Sequence, residues 1–175
     1  MKIVIIGPPG SGKSTQAQIV AEKLGLIYIS TGDIFRDIIK TQSNLGRNIS
    51  NNLKGGLLVK DVDVLRVVQD RLSKDDVKFG FVIDGFPRNL NQAENSPLDF
   101  DKVVYIKVSD KECAERILSR KREGETDDII NTRLKVYHSQ TEPILEYYRD
   151  LGILLEVNGE RLIDEIAKDI ILKID

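Results

Sequence analysis

Apolar residues fall along this 175-residue chain in two kinds of run that alternate from one end to the other. Five short unbroken runs predict strands: Ile3 to Ile6, Leu26 to Ile29, Gly80 to Asp84, Lys102 to Val108 and Ile153 to Val157. The apolar residues of Gly80 to Asp84 show no polar alternation, as in a strand covered on both faces. Between the five runs, apolar residues recur three and four positions apart, the spacing of one helix face. Ala17, Ile19, Val20, Ala21 and Leu24 predict a first helix stopped at Gly25, and Ile34, Phe35, Ile38 and Ile39 a second, with Ser30-Thr31-Gly32-Asp33 supplying its cap. Leu45, Ile49 and Leu53 predict a thin amphipathic helix on a small satellite subdomain, broken at Gly55-Gly56. Asp61 is the expected cap of a helix over about Val62 to Leu72, with Val64, Leu65, Val68 and Leu72 inward. Further helices are expected around Leu90 to Asn95, from a cap at Asp110 through Cys113, Ile117 and Leu118, in one long run to about Asp150, and over Leu162, Ile163, Ile166, Ile170 and Ile171.

Strands alternating with helices imply an α/β fold of three layers, α/β/α, around a five-stranded parallel sheet. The length fits a single domain over residues 1–175, and there is no internal repeat or Pro/Ser-rich linker to divide it. With 41% hydrophobic and 31% charged residues the composition is ordinary for a globular protein. Twenty-six Lys and Arg against 28 Asp and Glu give a formal charge of -2, which argues against general attraction to nucleic acid or an acidic membrane. Any anion site must therefore be a local cluster. The single cysteine, Cys113, allows neither an internal disulfide nor a Cys-rich zinc site and suits a reducing compartment, so a cytoplasmic location is expected. The run Ile3 to Ile6 is too short for a leader or a membrane span, so the chain is expected to begin at Met1.

The first strand breaks into Gly7-Pro8-Pro9-Gly10-Ser11-Gly12-Lys13-Ser14, a full G-x-x-x-x-G-K-[ST] phosphate-binding loop (P-loop) between a strand and a helix. Its glycines let backbone N–H groups, Ser11 among them, curl around a polyphosphate while the following helix aims its positive end at the same anion. Lys13 would reach the β and γ phosphates, and Ser14 or Thr15 would offer a hydroxyl to Mg²⁺ or a phosphate oxygen. In an open α/β sheet the other strands end at the same crevice. Asp84, closing an apolar strand, stands where a carboxylate holds Mg²⁺ directly or through water, although it would also serve as a cap for the Gly85-Phe86-Pro87-Arg88 turn. Arg36, Arg88, Arg116, Arg120, Arg122 and Arg133 form a second set suited to phosphate oxygens, with Arg116 and Arg120 on one helix face. Glu112 and Glu115 could instead draw Arg116 and Arg120 into a surface ion-pair network. His138, the only histidine, and Cys113 are expected to be structural, and the tyrosines of residues 137–148 to pack their helix onto the sheet.

Taken together, the Gly7 to Lys13 loop, Ser30-Thr31-Gly32-Asp33, Asp84-Gly85-Phe86-Pro87-Arg88 with Gln92, and Arg116, Arg120, Arg122 and Arg133 resemble the adenylate kinases, nucleoside monophosphate kinases of the P-loop NTPase fold. The resemblance runs in order through nearly the whole chain. It implies reversible transfer of the γ-phosphoryl group from Mg·ATP to AMP by a monomer that needs no nucleic acid or membrane partner. Carried over onto matching positions, it implies that Gly10, Ser11, Gly12, Lys13, Ser14 and Thr15 hold ATP phosphates and that Arg120 contacts them. Arg116, and backbone near Arg161, would lie against the ATP adenine. Arg36 and Arg88 would hold the AMP phosphate, and Arg122 and Arg133 would clamp the transferring group. Thr31 and Gln92 would face the AMP adenine, with Leu57, Leu58 and Val59 closing the pocket beside Gly85, Phe86 and Pro87. Relatives preferring UMP or CMP tend to carry Ala and Asn at the positions of Thr31 and Gln92, and this chain has neither.

Three departures stand out. Ser14 replaces the family's usual Gly, Lys60 a common proline, and the lid, about residues 121–127, is very short. Assigning the clamp to Arg122 depends on aligning Arg122-Glu123-Gly124-Glu125 with the usual Arg-x-Asp-Asp, and Lys121 competes for the role. Such a lid leaves no room for structural zinc and is expected to allow some ATP hydrolysis without acceptor. An acceptor-binding insertion is expected at about residues 30–59. A kinase for UMP, CMP or another small acceptor, and an ATP-dependent assembly factor, are the alternative readings.

Overall fold

The computed structural model describes residues 1–120 and 125–174. Five strands, β1 (Lys2–Ile6), β2 (Ile27–Ser30), β3 (Phe81–Asp84), β4 (Lys102–Lys107) and β5 (Leu154–Asn158), form one parallel sheet in the order β2-β3-β1-β4-β5. Each lies within a residue or so of its predicted run. Pairing places Ile5 of β1 and Ser30 of β2 opposite Asp84 of β3, so these three strands end side by side at one edge of the sheet.

The helices are α1 (Lys13–Leu24), α2 (Thr31–Lys40), α3 (Asn44–Lys54), α4 (Asp61–Leu72), α5 (Leu90–Glu94), α6 (Asp110–Ser119), α7 (Asp127–Val136), α8 (Ile144–Asp150) and α9 (Ile163–Ile174). Side chains alternate across the strands into two cores. Ile3, Ile5, Val82, Val104 and Ile106 pack with Ala17, Val20, Cys113, Ile117, Ile166 and Ile170 on one face. Val4, Ile6, Phe81, Ile83, Val103 and Tyr105 pack with Phe35, Ile49, Val64, Val68, Ile144 and Tyr148 on the other. Coverage of both faces explains the unalternated sequences of β1, β3 and β4.

Several local expectations need correction. Ser109, not Asp110, caps α6, its Oγ accepting from the Glu112 N–H; Asp110 is the first helical residue. Lys60 occupies the cap position of α4 without a side-chain bond, and Asp61 lies in the first turn with its carboxylate turned to other donors. The long helix is two helices joined by a π turn at Tyr137–Thr141, where the Glu142 N–H donates to the Tyr137 carbonyl at 2.9 Å. Pro143 follows and has no N–H with which to continue a regular ladder. Leu118, Leu162 and Ile163 share the apolar spacing of their helices yet are largely exposed. Helical spacing alone does not register how far the core extends past a helix end.

Candidate active site

The edge where β1, β2 and β3 end is built chiefly by the turns that follow β1 and β3. After β1, residues 7–12 curl so that the Ser11 N–H donates to the Pro8 carbonyl at 3.1 Å, and α1 begins at Lys13. Gly10 has φ +88°, and a Cβ there would stand 2.5 Å from the Cys113 carbonyl oxygen. Backbone geometry and close packing both demand glycine at that point. Lys13 Nζ reaches back to the Pro8 carbonyl at 3.2 Å. Burial, then the nearby Arg88 guanidinium, pull its pKa down to about 8, with Asp84 opposing.

Asp84 is buried at the end of β3. The Ser14 hydroxyl donates to one carboxylate oxygen, and the Tyr28 hydroxyl to the other at 3.4 Å. Burial and then the Asp84 carboxylate push Tyr28 up to about 12, which keeps its hydroxyl a donor. A hydroxyl and a carboxylate from facing elements are hard oxygen donors of the kind Mg²⁺ accepts while keeping several waters. Among the described residues there is no cluster of three or more His, Cys, Asp or Glu to cage a metal.

The turn after β3 runs from Gly85 through the cis Phe86–Pro87 bond to Arg88. Arg88 Nε donates to the Gly85 carbonyl at 2.8 Å, and the Arg88 carbonyl accepts from Thr141 Oγ1 at 2.7 Å, so the π turn secures this arginine. Burial lowers its pKa, and the Asp84 carboxylate opposes the shift. Arg88 borders three adjoining cavities. One of about 650 Å³ contains Gly10, Gly12, Lys13, Ser14, Thr15, Asp84, Arg36 and Arg120 in its wall. The second, about 220 Å³, is bounded by Gly85, Arg36, Leu58, Val59, Gln92 and Arg133, and the third, about 210 Å³, by Leu57, Leu58, Pro87, Lys13 and Arg133.

Thus Lys13, Arg36, Arg88, Arg120 and Arg133 converge on connected space. Two of these cations carry carboxylate partners: Arg36 pairs with Asp33, and Arg133 Nη1 with Glu125 Oε1 at 2.9 Å. The sequence reading gives Asp33 to a helix cap and Glu125 to the lid alignment, not to these arginines, although Asp33 three residues before Arg36 on a helix is a legible pairing signal. Other expected site residues lie apart. Arg116 donates to Glu112 at 2.7 Å and to the Gly159 carbonyl at 3.0 Å, and Arg161 donates to Asp169 at 2.5 Å; neither borders the three cavities. Phe86 is turned into the core, edge-on to Phe100. Thr31 is fully buried beneath Gly85 and donates to the Asp84 carbonyl at 3.2 Å. Arg122 and Lys121 lie outside the described residues, as does most of the lid.

A family profile described as "Adenylate kinase" matches residues 5–153. Among curated proteins, an adenylate kinase of Prochlorococcus marinus (strain MIT 9211) is 41% identical over 173 positions, covering 95% of this chain and 92% of that one. One from Mycolicibacterium paratuberculosis is 42% identical over 173 positions, covering 95% and 94%. The adenylate kinase of Caldicellulosiruptor saccharolyticus is 34% identical over 209 positions, covering 98% and 97%. That alignment is longer than this chain, so the relative carries inserted residues with no counterpart here.

Proposed function

The chain belongs to the adenylate kinase family, and we propose on that footing that it transfers the γ-phosphoryl group of ATP to AMP, reversibly, giving two ADP. The observation that carries this reading is Arg88, which borders both the phosphate-loop cavity and the pocket containing Gln92. A donor and an acceptor phosphate meeting there would lie on either side of one guanidinium.

The attacking oxygen belongs to the AMP phosphate and is already anionic, so little is asked of a general base. A new bond forms between that oxygen and the γ phosphorus as the bond to the β-bridging oxygen breaks, and the leaving charge stays on ADP. The obstacle is the mutual repulsion of two polyphosphates, which positioned cations remove. Lys13 and the loop N–H groups hold the donor phosphates with Arg120. Arg36 and Arg88 hold the acceptor phosphate, and Arg133 holds the transferring group; Arg122, or Lys121 beside it, would join them. Substrate phosphate competes with Asp33 and Glu125 for Arg36 and Arg133. Gln92 reads the acceptor base, with Leu57, Leu58 and Val59 closing its pocket and Thr31 supporting the turn from below. Asp84 and Ser14 would hold Mg²⁺, partly through water, and the ion would neutralise donor-phosphate charge.

Residues 30–59 act as the acceptor-binding insertion, and the short segment at 121–127 as a minimal lid. The protein works as a cytoplasmic monomer on free nucleotides. Its net charge of -2 weighs against a general attraction to nucleic acid or an acidic membrane. A coupled ADP assay with Mg·ATP and, separately, AMP, UMP, CMP, GMP or no acceptor tests the reading. Rapid turnover with AMP alone is expected; equal turnover with pyrimidine monophosphates would refute the assignment of the acceptor.

A further inference from the structure

Gln92 is buried, and both ends of its side-chain amide are already engaged. Nε2 donates to Asp61 Oδ1 at 2.7 Å, and Oε1 accepts from the Arg88 N–H at 2.8 Å. Asp61 is itself held by two more amides: Asn89 Nδ2 donates to Oδ1 at 2.7 Å and Asn91 Nδ2 to Oδ2 at 2.8 Å. Burial works to raise the Asp61 pKa, but the bonds from Asn89, Gln92 and Asn91 outweigh it and the net shift is downward. Asp61 is therefore an ionised, acceptor-only group.

That fixes which way the Gln92 amide points. A carboxylate accepts and a backbone N–H donates, so only one of the two amide orientations satisfies both. Turning the amide over would set Oε1 against the carboxylate and the NH₂ group against the Arg88 N–H. After these two bonds, Gln92 retains one N–H and one oxygen lone pair. The adenine edge offers an N6–H donor and an N1 acceptor, and hypoxanthine offers the inverse, an O6 acceptor and an N1–H donor. A freely turning glutamine would serve both bases equally well. A fixed one serves one.

We propose that Asp61 is a specificity-determining positioning residue: by holding the Gln92 amide in one orientation, it makes the acceptor pocket accept an adenine edge and reject the inverted edge of hypoxanthine. The inference rests on the reading that Gln92 faces the acceptor base. It concerns a residue that touches no substrate.

The test is steady-state phosphoryl transfer to AMP and to IMP, at saturating Mg·ATP, by the unmodified protein and by Asp61→Ala and Asp61→Asn. IMP differs from AMP only at the edge in question. Removing the acceptor in Asp61→Ala should lower the AMP:IMP ratio of kcat/KM by about tenfold, the equivalent of one hydrogen bond to a charged group. The KM for AMP should rise while that for ATP is unchanged. Asp61→Asn loses the charge but keeps an oxygen for Gln92 and Asn89, and exposed Asn91 is able to turn its amide to suit. It should keep the base preference. An unchanged AMP:IMP ratio in Asp61→Ala, with AMP turnover intact in the unmodified protein, would overturn the inference and leave the kinase reading standing. Equal losses in both variants would assign the effect to the charge at the start of α4 and would likewise overturn it. A lack of AMP turnover in the unmodified protein would instead overturn the kinase reading, and the inference with it.

Discussion

Lys13 has its charge opposed by burial and by Arg88 and supported chiefly by Asp84. Lowering a lysine from 10.5 to about 8 corresponds to about 3 kcal/mol of disfavour toward the charged form. A triphosphate reverses the balance, because its anionic oxygens favour the charged ammonium. Nucleotide binding should therefore take up a proton wherever free Lys13 is neutral. At pH 7 the free site is already charged and uptake is small; at pH 9 about nine molecules in ten are neutral and uptake approaches one proton per ATP. Calorimetric titration of ATP at both pH values, in buffers of different ionisation enthalpy, measures this directly. The dissociation constant should weaken by about fivefold from pH 8 to pH 9. Both effects should vanish in Lys13→Met. The same residue affects stability with a definite sign. Its folded-state pKa lies below the unfolded value, so its penalty is full below pH 8 and fades as pH rises from 8 to 10.5. Unliganded Lys13→Met should thus melt several degrees above the unmodified protein at pH 7, with the gap closing toward pH 10.5. Proton-free binding at pH 9, or an affinity flat across this range, would refute the reasoning.

Three further outcomes follow from particular contacts. Gly10→Ala places a Cβ 2.5 Å from the Cys113 carbonyl at φ +88°, whereas Gly12→Ala, at φ +84°, meets nothing within 4 Å. Both carry backbone strain of about 1–3 kcal/mol, but Gly10→Ala should lose more thermal stability in a melting comparison. Asp84→Asn keeps the shape of the site and removes the carboxylate between Lys13 and Arg88, so kcat in Mg·ATP should fall by about 100-fold. His138 hydrogen-bonds to Glu142 at 2.7 Å and Asp110 at 2.9 Å, and its pKa is raised, first by Glu142. A raised folded-state value means that this stabilisation is complete below pH 6.5 and lost as pH climbs through the folded pKa. His138→Ala should accordingly lower the melting temperature more at pH 6 than at pH 8.

What the sequence made legible was what depends on local pattern. Apolar runs located the strands, and those of β1, β3 and β4 are unalternated because both faces of the sheet are covered there; the loop motif placed Lys13 at the start of α1 because glycine spacing specifies that turn by itself. The arginines were legible as a set, since four of the six, Arg36, Arg88, Arg120 and Arg133, border adjoining cavities. Less legible was what each polar group spends its bonds on. Thr31 reads equally well as a base contact or a cap neighbour, and only the packing of α2 against the turn after β3 shows its hydroxyl given to the Asp84 carbonyl. Asp61 reads as a helix cap, since Asp before an apolar helical run usually is one. Its partners Asn89, Asn91 and Gln92 lie some thirty residues downstream, on the approach to and first turns of α5, and no local pattern joins them to it. The π turn escaped notice for a similar reason: its value lies in presenting Thr141 to the Arg88 carbonyl, a contact between distant stretches of chain.

The central claim is that the donor phosphates on the loop and the acceptor phosphate beside Arg36 and Arg88 react with each other and not with water. Following the ³¹P spectrum of purified protein with Mg·ATP and AMP tests it most directly. The account predicts that ATP and AMP disappear together and that two ADP appear for each ATP consumed, with inorganic phosphate a trace. One ADP and one inorganic phosphate per ATP, at a rate indifferent to AMP, would contradict it.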